Sequence, residues 1–254
     1  MIEIKNLTFG YGKTPVLKNT SLTIPPHSLT ALIGLNGAGK STLFRCLSKQ
    51  EQIADGQILV NSQSIGRYSF REYARIVSVV PQLSSIRQID YKVRDFMVEG
   101  RTPYLPAFSV PGKREYQFSE KIALKMGAAQ YLDTPFCNLS GGQQQLVLLA
   151  RALVQDTSVI ILDEPMSALD LRNQAFLLRV IRQLAADGKT VLFSTHNPNH
   201  ALLLGCEVIL LDDGAVVCHG PARQCLSPEN LRRVFGSSVA LTKTAAGVTA
   251  SLRL

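Results

Sequence analysis

Gly34-Leu35-Asn36-Gly37-Ala38-Gly39-Lys40-Ser41 sets the terms on which the other residues are read. It has the spacing G-x-x-x-x-G-K-[ST], follows the apolar run Leu29-Thr30-Ala31-Leu32-Ile33, and opens a helical run from Ser41 to Leu47. Strand, glycine-rich turn and helix, in that order, are what a phosphate-binding loop needs. Glycines let the chain turn so tightly that successive N–H groups point at one anion, and the helix behind them adds the positive end of its dipole. Gly34, Asn36, Gly37 and Gly39 then shape a cradle, Lys40 reaches the β- and γ-phosphates, Ser41 is placed to ligate Mg2+, and Thr42 completes the set.

Further along, Val159-Ile160-Ile161-Leu162-Asp163-Glu164 is an apolar strand that ends in two carboxylates. In an open α/β sheet, ligands collect at the carboxyl ends of the strands, so both acids are expected beside the phosphate loop. Asp163 is the candidate for the Mg2+ shell. Glu164, one residue on, is the candidate general base or water-orienting group in line with the γ-phosphate.

Two more short apolar runs, Ile76 to Val80 and Val191 to Ser194, have the character of strands buried on both faces, which predicts a mainly parallel core sheet. Ile2 to Phe9, Leu22 to Ile24 and Gln57 to Asn61 alternate apolar and polar residues, predicting a small, partly antiparallel sheet near the N-terminus. Between Leu83 and Ala152 the period turns helical, over Val93 to Glu99, Glu115 to Met126 and Leu146 to Leu153. Leu171 to Ala186 is another amphipathic helix, Asp213-Gly214 reads as a hairpin turn, and Pro228 to Phe235 reads as one short helix in the tail.

With 46% hydrophobic and 18% charged residues in 254, the chain is a folded globular protein and not an intrinsically disordered one. Its formal charge of +8 asks for an acidic partner: a nucleotide, a nucleic acid or an anionic membrane surface. Met1-Ile2-Glu3-Ile4-Lys5 lacks the apolar stretch of a secretory leader, and the run Ala201 to Leu211 is too short and too interrupted, by Gly205 and Glu207, to span a bilayer. Cys46, Cys137, Cys206, Cys218 and Cys225 are odd in number and carry no C-x-x-C spacing, so reduced, mostly buried thiols are expected.

Leu139-Ser140-Gly141-Gly142-Gln143 is the point at which the sequence resembles the ATP-binding subunits of ABC transporters, and the resemblance runs over nearly the whole chain. Gln82 after Ile76 to Val80, Ser167-Ala168-Leu169-Asp170 after Glu164-Pro165, and His196 after Val191 to Ser194 stand in that family's order. Tyr11, in Phe9-Gly10-Tyr11-Gly12, matches the aromatic that stacks on adenine in the family. The resemblance implies an α/β fold of the P-loop ABC ATPase type: one domain over residues 1–254, an N-terminal antiparallel β-subdomain, an α-helical subdomain inserted at 83–152, and a short tail, 222–254, packed on the body. It implies ATP and Mg2+, and a head-to-tail homodimer in which Ser140, Gly141, Gly142 and Gln143 complete the partner's ATP site while Asp170 crosses to the other subunit. Gln82 would touch Mg2+ or the attacking water, and His196 would hold the γ-phosphate and orient Glu164. A physical reason stands beside this: Ser140 to Gln143 open a second helix N-terminus with bare glycine N–H groups, a second anion site.

Tyr91-Lys92-Val93-Arg94-Asp95-Phe96 and Glu99-Gly100-Arg101-Thr102-Pro103-Tyr104 are similar to a segment of the metal-chelate importers, whose cargoes are ferric siderophores, haem, cobalamin and, in some branches, molybdate or tungstate. One ATPase unit without a membrane span suits such an importer. The implied partners are two transmembrane permease subunits and, indirectly, a periplasmic or surface substrate-binding protein, with the ATPase held on the cytoplasmic face of the inner cell membrane. The alternative is a non-transport ABC ATPase acting on nucleic acid or ribosomes; the long coiled coils, zinc modules and fused second ATPase of such proteins have no counterpart in this sequence. Asn197 stands where Asp commonly follows the histidine, and Met166 where Thr commonly follows Glu-Pro.

Overall fold

In the computed structural model, residues 1–254 are described except 84–88, 168, 238, 245–246 and 253–254. Alternation puts Ile2, Ile4 and Leu7 of β1 (Ile2–Phe9) and Leu17, Thr20, Leu22 and Ile24 of β2 (Leu17–Ile24) on one buried face. The phase slips between Ile4 and Leu7, where the β1–β2 register shifts, with Asn6 at φ 49°. Asparagine tolerates that left-handed conformation better than most residues, and the slip returns Leu7 to the buried side. With β4 (Ile58–Val60) and β5 (Gln63–Ser64) these strands form an antiparallel sheet in the order β2-β1-β4-β5, as the alternation requires.

The chain divides into two compact units, residues 1–67 with 178–254, and residues 68–177. The first unit holds the antiparallel sheet and a second set of strands in the order β10-β9-β3-β8. In that set β3 (Leu29–Ile33) is parallel to both β8 (Thr190–Thr195) and β9 (Glu207–Asp212), while β10 (Ala215–Pro221) runs antiparallel to β9. The turn between β9 and β10 has positive φ at both Asp213 (44°) and Gly214 (77°), the tight hairpin geometry that Asp-Gly announces. It is bound from two sides: Gly214 N–H donates to Ala38 O (3.2 Å), and Gly214 O accepts from Lys18 N–H (2.8 Å). Helices α1 (Lys40–Leu47), α7 (Pro198–Leu204), α8 (Ala222–Cys225) and α9 (Pro228–Phe235) belong to the same unit.

The second unit is built on the parallel pair β6 (Val77–Val80) and β7 (Val159–Leu162). Helix α2 (Phe70–Ala74) precedes β6, and α3 (Val93–Val98), α4 (Lys113–Lys125) and α5 (Gly141–Val154) lie between the two strands in the chain. Helix α6 (Leu171–Ala186) begins in the second unit and ends in the first.

The apolar runs at 29–33 and 159–162 and the helix at 171–186 coincide with their elements end to end. Helix α5 begins earlier than its apolar period, because its first turn is polar and held by a cap instead of by packing. The tail contains α9 as expected and also the hairpin β11 (Val239–Thr244) with β12 (Gly247–Leu252), which the sequence reading did not anticipate. The expectation of five reduced thiols is corrected: Cys218 of β10 and Cys225 at the end of α8 form a disulfide, while Cys46, Cys137 and Cys206 are free. The turn at Pro221 folds α8 back so that two cysteines seven apart in sequence meet, a proximity without a sequence motif.

Candidate active site

The loop from Gly34 to Gly39 leaves the end of β3 and turns into α1 with Gly37 at φ 85° and Gly39 at φ 99°. Gly39 is the N-cap of α1, no side chain caps that helix, and a Cβ at Gly39 would stand 3.0 Å from Leu17 Cδ2 and 3.2 Å from Val16 O. The position therefore requires glycine on two counts, backbone conformation and space. Lys40 is buried at 5% exposure, with its Nζ donating to Gly34 O (2.9 Å) and Leu35 O (3.0 Å), so its charge is held against the loop. Ser41 is half-buried beside it and Thr42 is buried.

Tyr11 and His196 lie in the same unit as this loop. The Tyr11 ring is exposed, meets Phe9 edge-on at 5.3 Å, and its hydroxyl accepts from Arg45 Nη1 of α1 at 3.3 Å. His196 follows Thr195, which is in register with Ile33, so His196 and Gly34 are each one residue past the same rung of the β3–β8 ladder. Its side chain is exposed.

Gln82, Asp163 and Glu164 lie in the second unit. Val80 is in register with Leu162, and Asp163 N–H donates to Val80 O at 2.9 Å, so Gln82 and Glu164 are each two residues past that rung. Glu164 has φ 44°, and its carbonyl accepts from the amide (3.2 Å) and hydroxyl (3.0 Å) of Ser167. A residue ahead of proline ordinarily stays extended, and a left-handed glutamate costs about 1–3 kcal/mol, the sort of strain retained where a side chain must be aimed.

Ser140 is the N-cap of α5: Gln143 N–H donates to Ser140 Oγ (3.5 Å) and Ser140 N–H donates to Gln143 Oε1 (2.9 Å). Gly141 and Gly142 are half-buried, and a Cβ at Gly142 would lie 3.1 Å from Asn173 Nδ2. Asp170 is exposed and accepts from Asn173 N–H (2.8 Å) and Asn173 Nδ2 (3.2 Å) at the start of α6. Ala168, between Ser167 and Asp170, lies outside the described residues.

The profile of the ABC transporter family matches residues 17–167, well over half of the chain. The chain belongs to the ABC transporter family. The ferric enterobactin transport ATP-binding protein FepC of Escherichia coli K12 is 33% identical over 233 residues, covering 91% of this chain and 86% of the relative. The hemin import ATP-binding protein HmuV of Bordetella pertussis Tohama I is 35% identical over 244 residues, covering 92% of each chain. A solved structure of a metal-chelate type ABC transporter in an inward-facing conformation superposes with a TM-score of 0.84 at 28% identity, covering 99% of this chain and 96% of that one.

Some of the local structure around these residues of the ABC ATPase escaped sequence reasoning. His200 is buried, its Nδ1 is 2.9 Å from Thr195 Oγ1, and Asn197 N–H donates to the same hydroxyl at 3.1 Å. Burial first, and the neighbouring His196 second, push the His200 pKa down to about 4, so at neutral pH its imidazole is uncharged and helps hold the turn that carries His196. The sequence signal was His200 lying four residues after His196. Arg45 on the Tyr11 hydroxyl and the left-handed Glu164 had no such signal.

Proposed function

We propose that this ABC ATPase hydrolyses ATP, with Mg2+, to drive import of a metal chelate through a separate permease. The observation that carries the ATP chemistry is the uncapped start of α1, with Lys40 buried against Gly34 and Leu35. Triphosphate oxygens accept from the N–H groups between Gly37 and Thr42 and from Lys40, which exchanges its two carbonyl contacts for phosphate oxygens. Glu164 takes or orients the proton of a water whose oxygen attacks the γ-phosphorus; the bond to the bridging oxygen breaks and ADP and inorganic phosphate leave. His196 donates a hydrogen bond to a γ-phosphate oxygen and Tyr11 stacks on adenine. Ser41, Gln82 and Asp163 offer hydroxyl, amide and carboxylate oxygens, the donor set of a hard cation. A Mg2+ held by such donors would supply charge neutralisation of the β- and γ-phosphates.

The working unit in this reading is a head-to-tail homodimer, with Ser140, Gly141, Gly142 and Gln143 of one copy completing the partner's ATP site and Asp170 crossing between copies. The helices between 83 and 152 act as the inserted subdomain of one ATPase domain, and residues 222–254 as its tail. The cargo class rests on the relatives: ferric enterobactin and hemin are both iron chelates. Siderophore iron or haem is therefore put first, ahead of cobalamin, molybdate or tungstate. The subunit sits at the cytoplasmic face of the inner cell membrane through two permease subunits, fed by a binding protein; among the described residues no helix is long and apolar enough to cross a bilayer. The test is ATPase activity in membranes containing the permease, with its binding protein and a panel of chelates. Stimulation by one chelate class is the expected result, and stimulation by DNA, RNA or ribosomes without any permease would overturn the transport reading.

A further inference from the structure

The second unit carries a cationic cavity that ATP chemistry does not use. The helical turn Glu99–Tyr104 and helix α4 wall a space of about 450 Å3 lined by Arg101, Arg114, Gln117, Lys121 and the rings of Tyr104 and Phe118. The Arg101 guanidinium lies 4.0 Å from the Tyr104 centroid and 4.6 Å from that of Phe118, and Nη1 donates to Val154 O at 3.1 Å. Held by two rings and one carbonyl, it keeps further N–H donors for the cavity it lines. Arg114, Gln117 and Lys121 follow one another at helical spacings of three and four, on one face of α4. Glu115 is the one acid in the lining, and its carboxylate accepts from Gly112 N–H (2.9 Å) at the helix start. Among the described residues no acid ion-pairs with Arg101, Arg114 or Lys121.

The loop that joins the two walls, residues 105–112, carries Phe108 fully exposed at φ 64° and Val110 at 82% exposure. The Ser109 amide and hydroxyl both donate to Pro106 O (3.2 and 2.8 Å), which holds the tip in shape. Leu124, three residues past Lys121 on α4, is a further exposed apolar group. Isolated exposed aliphatics are ordinary; an aromatic standing wholly in water in the loop that joins the walls of a cationic cavity is not. The shapes also differ from those of a protein groove, since here the concave part is charged and the apolar part projects. That is the form of a headgroup pocket with a hydrophobic finger.

We propose that this face binds anionic phospholipid directly, the cavity taking the phosphodiester headgroup and Phe108 and Val110 entering the acyl boundary. Guanidinium forks suit the phosphate oxygens, and the negative leaflet surface attracts clustered Lys and Arg. The proposal goes beyond the transport reading and does not rest on it, because it needs neither permease nor ATP.

The test is co-sedimentation of the full chain with vesicles of phosphatidylcholine alone or mixed with phosphatidylglycerol, at low and raised salt. Partition onto the anionic vesicles should exceed that onto neutral ones at least about tenfold and fall with salt. Arg114→Glu with Lys121→Glu should lower it by about thirtyfold or more, and Phe108→Ser should lower it by about fivefold without a change of charge. Both variants should keep the parental ATPase rate in solution and its thermal midpoint. Lys121→Gln serves should the double variant not fold, with a loss of about fivefold. Equal partition on the two vesicle types, a charge variant that sediments like the parent, or a Phe108→Ser chain that does so, would each overturn the proposal. Displacement by soluble glycerol phosphate would assign the cavity to a free phosphoester instead of a membrane. Variants that bind vesicles normally but lose permease-stimulated ATPase would assign the face to the permease.

Discussion

Two helix starts in this molecule offer N–H groups to an anion, and they are finished differently. Helix α1 begins at a left-handed glycine with no side-chain cap, and its first residue is a buried lysine. Helix α5 begins at Ser140 with a reciprocal cap to Gln143, so its own side chains already satisfy part of its first turn. The first four N–H groups of any helix lack partners inside it. At α1 no side chain supplies one, whereas at α5 the Ser140–Gln143 cap supplies part of the need and leaves the N–H groups of Gly141 and Gly142 outside it. The lesson is one of conditional affinity: in the proposed reading the first start binds nucleotide by itself, and the second engages phosphate only when a partner copy brings it already bound.

That contrast can be broken in several ways. The largest effect is expected from Glu164→Gln, which touches neither helix start: turnover should fall by about 10²–10⁴-fold with ATP binding kept. A single-turnover rate equal to the parent's would remove the general-base role. The pH dependence of stability comes next. The His200 pKa is depressed to about 4 in the fold, below its ordinary 6.5, so the unfolded chain binds the proton more readily. Stability from this group is complete above about pH 6.5 and is lost as pH falls through about 4, up to roughly 3 kcal/mol. A melting series on His200→Gln should show a weaker acid slope, and an unchanged slope would assign the acid loss to other groups.

Lys40→Ala should weaken ATP binding by about tenfold to a hundredfold, the worth of a charged hydrogen-bond donor to phosphate. Calorimetry on the isolated chain reads it directly, and parental affinity would leave α1 without its proposed role. The smallest effect is Ser140→Ala. Loss of the cap should cost about 1 kcal/mol of stability and slow turnover, while the isolated chain binds ATP as before. If Ser140→Ala weakened ATP binding as much as Lys40→Ala, the distinction between the two starts would disappear.

The parallel strands and the phosphate loop were legible because each has a strong local cause. Leu29 to Ile33 and Val159 to Leu162 are buried throughout most of their length, so their composition alone marks them, and the glycines at 37 and 39 are needed where φ turns positive. What was illegible depends on contacts between distant or weakly patterned residues. Val239 to Thr244 and Gly247 to Leu252 are rich in Ala and Thr, which blunts the alternation that would have announced β11 and β12. Asn199 fastens that hairpin, its Nδ2 donating to Ala250 O (2.9 Å) and its Oδ1 accepting from Ala250 N–H (2.7 Å), a contact across fifty residues. The Cys218–Cys225 bridge arises from the fold of a turn, and Asp170, read as an interfacial group, also caps α6 through Asn173. The strain at Glu164 lies in a backbone angle that no residue type reveals in advance.

The turn at Asp213-Gly214 has a practical consequence for anyone who would label this protein. A hairpin tip with Asp-Gly is the usual choice for inserting a tag or a reporter, since such tips commonly tolerate added chain. Here a Cβ at Gly214 would fall 2.0 Å from Val16 O, and the same glycine ties Lys18 of β2 to Ala38 of the phosphate loop. An insertion there would pry apart the glycine-rich loop and strand β2, so the tip that looks most permissive is a poor place for a handle.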